Sequence, residues 1–208
     1  MGNVFPSRDP IPSESDPPIA DEGEMQRDLV IRAARGEEAA FAALAEASID
    51  RCHALAYRIL RDHHAAQDAT QQALLGAWRD LPTLRDPDRF DPWLHRLVVH
   101  ACYGLARSER RWQGRVRLIS DQPVTTPDAA RALAIRDELE QAFGQLTPEH
   151  RAVVVLHHYL GYQLTEIAEV LGLPSATVRS RLLRAMRRLR EAVEATQTLH
   201  AEPGERTA

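Results

Sequence analysis

The chain of 208 residues contains no lysine; all 26 of its basic residues are arginine. Every fixed cation is therefore a planar fork that can meet a phosphate or a guanine edge with two hydrogen bonds. The missing lysine is what a GC-rich coding sequence produces, so the placement of the arginines carries the information. Cysteine is scarce as well. Cys52 and Cys102 are too few for a disulfide framework, and their apolar, helix-like surroundings predict buried, reduced thiols. No apolar run approaches the ~20 residues of a membrane span. Residues 1–24 lack the basic and apolar parts of a secretory signal, so a soluble cytoplasmic chain is expected. The motifs of catalysis are missing too: there is no His-Glu-x-x-His, no Cys-x-x-Cys and no Gly-rich phosphate loop. His63-His64 and His157-His158 are adjacent pairs, which a helix points about 100° apart, a poor geometry for chelation. Cys52-His53 lacks further ligands at a fitting spacing. The expectation is a chain that is not an enzyme, with no catalytic residue, cofactor or metal.

What is present is an uneven distribution of charge. The net charge is only −4, which speaks against a uniformly basic coat. Residues 1–26 hold six acids and one base, Arg8, together with five prolines, and are expected to be a disordered acidic tail. Arg107, Arg110, Arg111, Arg115 and Arg117 form one basic run. Arg179, Arg181, Arg184, Arg187, Arg188 and Arg190 form a second, with no acid between 175 and 190. The stretch between the two runs is acidic, including Asp121, Asp128, Asp137, Glu138 and Glu140. A charge run alone is usually a solvated helix face. Two basic runs separated by an acidic stretch suggest two contacts with one polyanion.

Apolar spacing reads as helical throughout, an all-α chain with 44% hydrophobic residues and enough core to fold. Leu29, Val30, Ala33 and Ala34 form a short stripe ended by Gly36. Ile49, Cys52, Leu55, Ala56 and Ile59 recur at three- and four-residue spacing. Asp62 is placed to cap a helix carrying Ala66, Ala69, Ala73, Ala77 and Trp78. Pro82, Pro87 and Pro92 mark a loop over 81–91, and an apolar helix follows from Trp93 to about Leu105. Residues 112–132 read as a linker. A helix over 133–143 follows, and Thr147-Pro148 opens another to about Tyr159. The last segment, 196–208, is expected to fray.

The most specific motif is LTEIAEVLGLPSATVRSRLLR, residues 164–184. It has the order of a helix-turn-helix: Ile167 and Leu171 inward, Ala168 small at the helix crossing, Gly172 at the turn, and Val178 and Leu182 anchoring the second helix. That placement leaves Thr177, Arg179, Ser180, Arg181 and Arg184 largely off the buried stripe. Hydroxyls with arginine forks are the chemistry of major-groove reading and phosphate anchoring, so the segment points to DNA.

Here the chain resembles a known family. Residues 146–191, from LTPEHRAVVVL through TEIAEVLG and TVRSRLLR, look like region 4 of bacterial RNA polymerase sigma factors. Residues 65–81, AAQDATQQALLGAWRDL, are similar to region 2.2, and FDPWLHRLVVHACYGLARSERR, 90–111, to regions 2.3 and 2.4. With no region 3 domain between them, the layout resembles the ECF (extracytoplasmic function, group IV) type. The resemblance implies two small helical domains joined by a flexible linker: region 2 over 27–111 and region 4 over 133–195. It implies promoter-specific initiation on core RNA polymerase, through the β′ clamp helices and the β flap, and leaves room for an anti-sigma factor. Asp68, Gln71 and Gln72 would touch the polymerase, with Trp78 packed toward the core. Phe90, His100, Arg107, Arg110 and Arg111 would meet the −10 element. Thr177, Arg179, Ser180, Arg181, Arg184 and Arg188 would meet the −35 element. Gln72 stands where the family usually has Glu, His100 where it often has Asn, and Gly104 where it often has Asp. Gln163 stands where a Ser cap is usual. Two other readings fit part of the chain: a helix-turn-helix regulator that binds DNA alone, and a polymerase-binding adaptor without initiation activity.

Overall fold

The computed structural model describes residues 22–113 and 140–200. Residues 1–21, the linker beyond 113 and the tail beyond 200 lie outside the described residues, as does most of the helix expected over 133–143. Helix α1 spans Glu22–Ala34, α2 Glu38–Leu60, α3 His63–Asp80 and α4 Phe90–Gln113. Helix α5 is described over 140–144. Helix α6, Pro148–Val154, continues as a π-helical turn, Val155–Tyr159, before α7 over Leu164–Leu171 and α8 over Ser175–His200. No strand occurs among the described residues, and the fold is all-α.

Local chemistry accounts for the boundaries. Asp62 accepts a hydrogen bond from the Ala65 amide at 2.7 Å and starts α3. Thr147 accepts from the His150 amide at 3.4 Å, with Pro148 in the first turn where its missing N–H costs nothing. Gln163 is rescued as a cap from the other side: the Glu166 carboxylate accepts from the Gln163 amide at 2.7 Å. Gly172 ends α7 at φ +62, a left-handed conformation that glycine adopts without a Cβ penalty.

Two expected boundaries move. The acidic tail ends earlier than residue 26, because α1 begins at Glu22 and tertiary contacts hold its first turns. Gln26 donates to Asp91 at 3.2 Å, and Arg27 pairs with Asp88. The proline-marked loop is also shorter. It forms two 3-10 turns, Leu81–Thr83 and Pro87–Arg89, and α4 starts at Phe90 with Pro92 in its first turn, a position that tolerates proline.

Alanine decides the packing of the first half. Ala66, Ala69, Ala73 and Ala77 are all buried along one face of α3, which lets α2 and α4 approach closely. Leu55, Ile59, Leu94 and Val98 fill the space between, each contributing about 1.5–3 kcal/mol by burial. The second half adds to the same core instead of closing its own. Val153, Leu156, Ile167, Val170 and Val178 belong to one continuous cluster with the first-half residues. Among the described residues a small separate cluster, Ala142, Leu146, Val154, Ala185 and Leu189, is private to the second half.

Candidate nucleic-acid interface

Helix α8 carries the first surface. Val178 and Ala185 are fully buried and fix its rotation against α6 and α7. That rotation leaves Arg179, Arg184, Arg187, Arg188 and Arg190 exposed. Thr177, Ser180 and Arg181 are half-buried at the edge of the face. The Ser180 hydroxyl donates to the Thr177 carbonyl at 2.9 Å, and Arg184 donates to Ser180 at 3.4 Å, so the serine orients the arginine. Arg187 is 3.7 Å from Glu191, one helical turn on. Leu183 is 65% exposed within this face, an apolar group among forks that sequence reasoning did not select.

Helix α4 carries the second. His100 and Arg107 are exposed on its outer side. Arg107 also donates to the Tyr103 carbonyl at 3.1 Å. Partial burial, with Arg96 and Arg107 adjacent, holds the His100 imidazole below its usual pKa, so it is neutral at pH 7 and can both donate and accept. Arg96 is exposed four residues before His100, on the same face. Sequence reasoning missed it because it lies outside the dense arginine run; its helical spacing from His100 was the available signal. Arg110 and Arg111 fall in the last turn of α4, and their side chains lie outside the described residues. Phe90 corrects the expectation drawn from the resemblance. It is 2% exposed, packed beside Trp93 with ring centroids 6.1 Å apart, and offers no face to a base. The turn before it exposes Arg85, Asp86, Asp88 and Arg89 instead.

Helix α3 carries a third surface of different chemistry. Asp68, Gln71 and Gln72 are all exposed on it. Beside them runs a groove of about 640 Å³ between α2 and α3, lined by Ile49, His53, Gln67, Leu74, Leu75 and Trp78 among others. Leu75 is 64% exposed and Ile49 46%. Trp78 is not packed into the core: it stands at the rim, 38% exposed, with its ring 4.9 Å from that of Phe41. No surface of this kind on a monomer is needed for folding, and exposed apolar side chains beside amides suit a protein partner.

The cysteines are inert. Both are buried and unpaired, and burial pushes the Cys52 thiol up to about 11 and that of Cys102 up to about 12. No group of His, Cys, Asp and Glu able to hold a metal occurs among the described residues. No helix among them is long and apolar enough to cross a membrane.

Residues 44–112 match the family model for sigma-70 region 2, and residues 136–189 match sigma-70 region 4. The ECF RNA polymerase sigma factor SigE of Mycolicibacterium smegmatis is 31% identical over 76% of this chain and 64% of its own length. The RNA polymerase sigma-H factor of Pseudomonas aeruginosa is 30% identical over 82% of this chain and 93% of its own. Among solved structures, CnrH in complex with the cytosolic domain of CnrY is 28% identical, with a TM-score of 0.58 over 82% of this chain and 98% of that one. With both region models matched in order, and the ECF RNA polymerase sigma factor SigL of Mycobacterium tuberculosis 34% identical over 74% of this chain and 92% of its own length, the chain belongs to the ECF RNA polymerase sigma factors.

Proposed function

We propose that this chain binds core RNA polymerase through α3 and directs it to promoters with two elements, α8 reading the −35 and α4 the −10. The carrying observation is the α8 face: exposed arginines with no acid from 175 to 190, on the second helix of a helix-turn-helix with a left-handed glycine at its turn. Arg179, Arg184 and Arg188 contact bases and phosphates; Thr177, Ser180 and Arg181 line the edge of that contact. His100, Arg107 and Arg96 track the melted −10 strand, with Arg110 and Arg111 extending the same helix. Asp68, Gln71, Gln72 and the groove beside Leu75 meet the β′ clamp helices, and region 4 meets the β flap. Regions 2 and 4 are matched by residues 44–112 and 136–189, and the short stretch between them supports the group IV subclass. The chain acts in the cytoplasm and catalyses nothing itself; initiation chemistry belongs to the polymerase. An anti-sigma factor is a fitting partner, since a structure of the same fold, the sigma factor RpoE, was solved in complex with the anti-sigma factor NepR from Bartonella quintana.

The test compares duplex binding with and without core polymerase. The expected result is weak, salt-sensitive binding by the chain alone and specific promoter binding with polymerase. Tight specific binding to duplex DNA without polymerase would support the regulator reading instead. Binding to core with no promoter opening would support the adaptor.

A further inference from the structure

The π turn that extends α6, Val155–Tyr159, forms one wall of a pocket that none of the promoter or polymerase contacts above employs. π turns re-aim side chains and recur at functional positions. The C-terminal end of α2 forms another wall, and α5 supplies Glu140 and Phe143. The pocket holds about 260 Å³. Tyr57, Phe143, Val154, Val155 and Tyr159 give it apolar sides, and Arg58 and Arg61 give it cations. Tyr57 is braced by His63, with ring centroids 4.2 Å apart.

The backbone is strained to place one of these arginines. Arg61 is the non-glycine residue with positive φ among the described residues, at +60. It ends α2 in the left-handed conformation, its amide donating to the Tyr57 carbonyl at 2.7 Å. Glycine adopts that conformation without strain, so the cap itself gains nothing from arginine. What arginine adds is its guanidinium, whose Nη1 donates to Glu140 Oε2 at 2.7 Å. The Glu140 side chain is 55% exposed, so this pair is weak and exchangeable. Its geometry shows that a carboxylate fits the fork. Arg58 lies over Tyr159, 3.7 Å from the ring centroid, and donates to the Ala54 carbonyl at 3.2 Å. Those contacts use a ring face and a carbonyl, not a carboxylate.

A third arginine adds to the charge. Arg151 precedes Val154 and Val155 by three and four residues, so it shares their side of α6. It is only 8% exposed, and its Nε has no hydrogen-bond partner. Burial, with Arg61 nearby, pushes its guanidinium down to about 10, and Glu149 opposes the shift. A buried guanidinium beside a second cation is unfavourable unless an anion offsets both. Glu140 and Glu149 offset two of the three cations and leave one positive charge for an incoming group.

We propose that this pocket binds a small aromatic carboxylate, with the carboxylate on Arg61 and Arg58 and the ring against Tyr57, Phe143 and Val155. Planar forks meet a carboxylate with two hydrogen bonds, and aromatic walls suit a ring. The volume falls below the ~300–1,000 Å³ of drug-sized sites, which limits the occupant to a single or fused double ring. One uncompensated charge favours a monoanion over a phosphate ester. The site lies apart from the arginine face of α8 and the groove beside α3, so the inference stands whether or not the promoter reading does.

The test titrates the full chain with naphthoate, followed by calorimetry and by amide NMR shifts. Saturable one-site binding is expected, with shifts at Gly144 and over Val155–Tyr159. The neutral isostere naphthamide should bind at least tenfold more weakly. Arg61→Gly keeps the left-handed cap and removes the fork; it should weaken naphthoate binding at least tenfold, as should Arg58→Met. Arg35→Gln, which removes an exposed arginine just after α1, should change nothing. Naphthoate should raise the melting temperature of the native chain and not that of Arg61→Gly. Inorganic phosphate should not compete. No saturable binding at millimolar naphthoate, equal affinity for naphthamide, or native affinity in both Arg61→Gly and Arg58→Met would overturn the proposal. Shifts centred on Leu75 and Trp78 would also overturn it, by placing the probe in the groove between α2 and α3. Displacement by phosphate alone would do the same, by reducing the pocket to a simple anion site.

Discussion

The outer face of α3 and the outer face of α8 are built from the same kind of helix, yet they expose opposite chemistry. Helix α3 buries alanines inward and turns Asp68, Gln71, Gln72 and Leu75 outward, with an apolar groove alongside. Helix α8 buries Val178, Ala185 and Leu189 and turns arginines outward. A protein partner is met with displaced water and amide hydrogen bonds; a polyanion is met with forks and released counterions. The net charge of −4 averages these surfaces and describes neither.

The comparison can be broken in order of expected effect. Leu156→Ala empties a fully buried site in the core that both halves share. It should cost about 2–5 kcal/mol and lower the midpoint of both halves together in chemical denaturation. Two separate transitions, with only the second half affected, would show that the cores are independent. Next, Leu75→Arg should weaken core polymerase binding at least tenfold, or about 1.4 kcal/mol, while leaving circular dichroism and melting temperature unchanged. Arg184→Ala should cost about 1–3 kcal/mol in −35 recognition and reduce the salt dependence of promoter binding, with core affinity unchanged. Equal loss of both affinities in either variant would erase the division of labour between α3 and α8. Gly172→Ala should cost about 1 kcal/mol, because alanine is strained at φ +62 even though a Cβ there meets no neighbour.

The smallest expected effect is that of pH. Burial holds His95, His100 and His150 below the ordinary value of 6.5. The unfolded chain therefore binds protons that the native chain does not, and stability should fall as pH drops below about 6.5. Asp91 near His95 and Glu149 near His150 oppose the shift. Urea midpoints between pH 7.5 and 5.5 check the sign; a midpoint that rises on acidification would contradict it.

Much of this was legible in the sequence, because local rules and tertiary structure agree. The caps at Asp62 and Thr147, the glycine turn at 172 and the alanine face of α3 follow from residue type and spacing. The helix-turn-helix was legible for the same reason: its inward positions are fixed by the helical period. Phe90 was misread because an aromatic beside a proline-marked loop carries no periodic signal, and only packing shows that its ring points into the core. Trp78 was misplaced the other way, since half of an indole at a groove rim has the same spacing as one in a core. The closure of the halves was not legible at all. It depends on the π turn and on pairs such as Arg89–Glu169, 80 residues apart, which no window of sequence brings together.

The central claim is that one chain joins core polymerase to a two-element promoter. It is tested most directly by run-off transcription with purified core polymerase, this protein and a promoter library randomised at both elements. The account predicts transcripts that depend on the protein, start at a fixed distance from two enriched motifs, and lose selection at the upstream motif alone when Arg184 is replaced by Ala. Enrichment of a single motif, or no protein-dependent transcript despite tight binding to core, would contradict it.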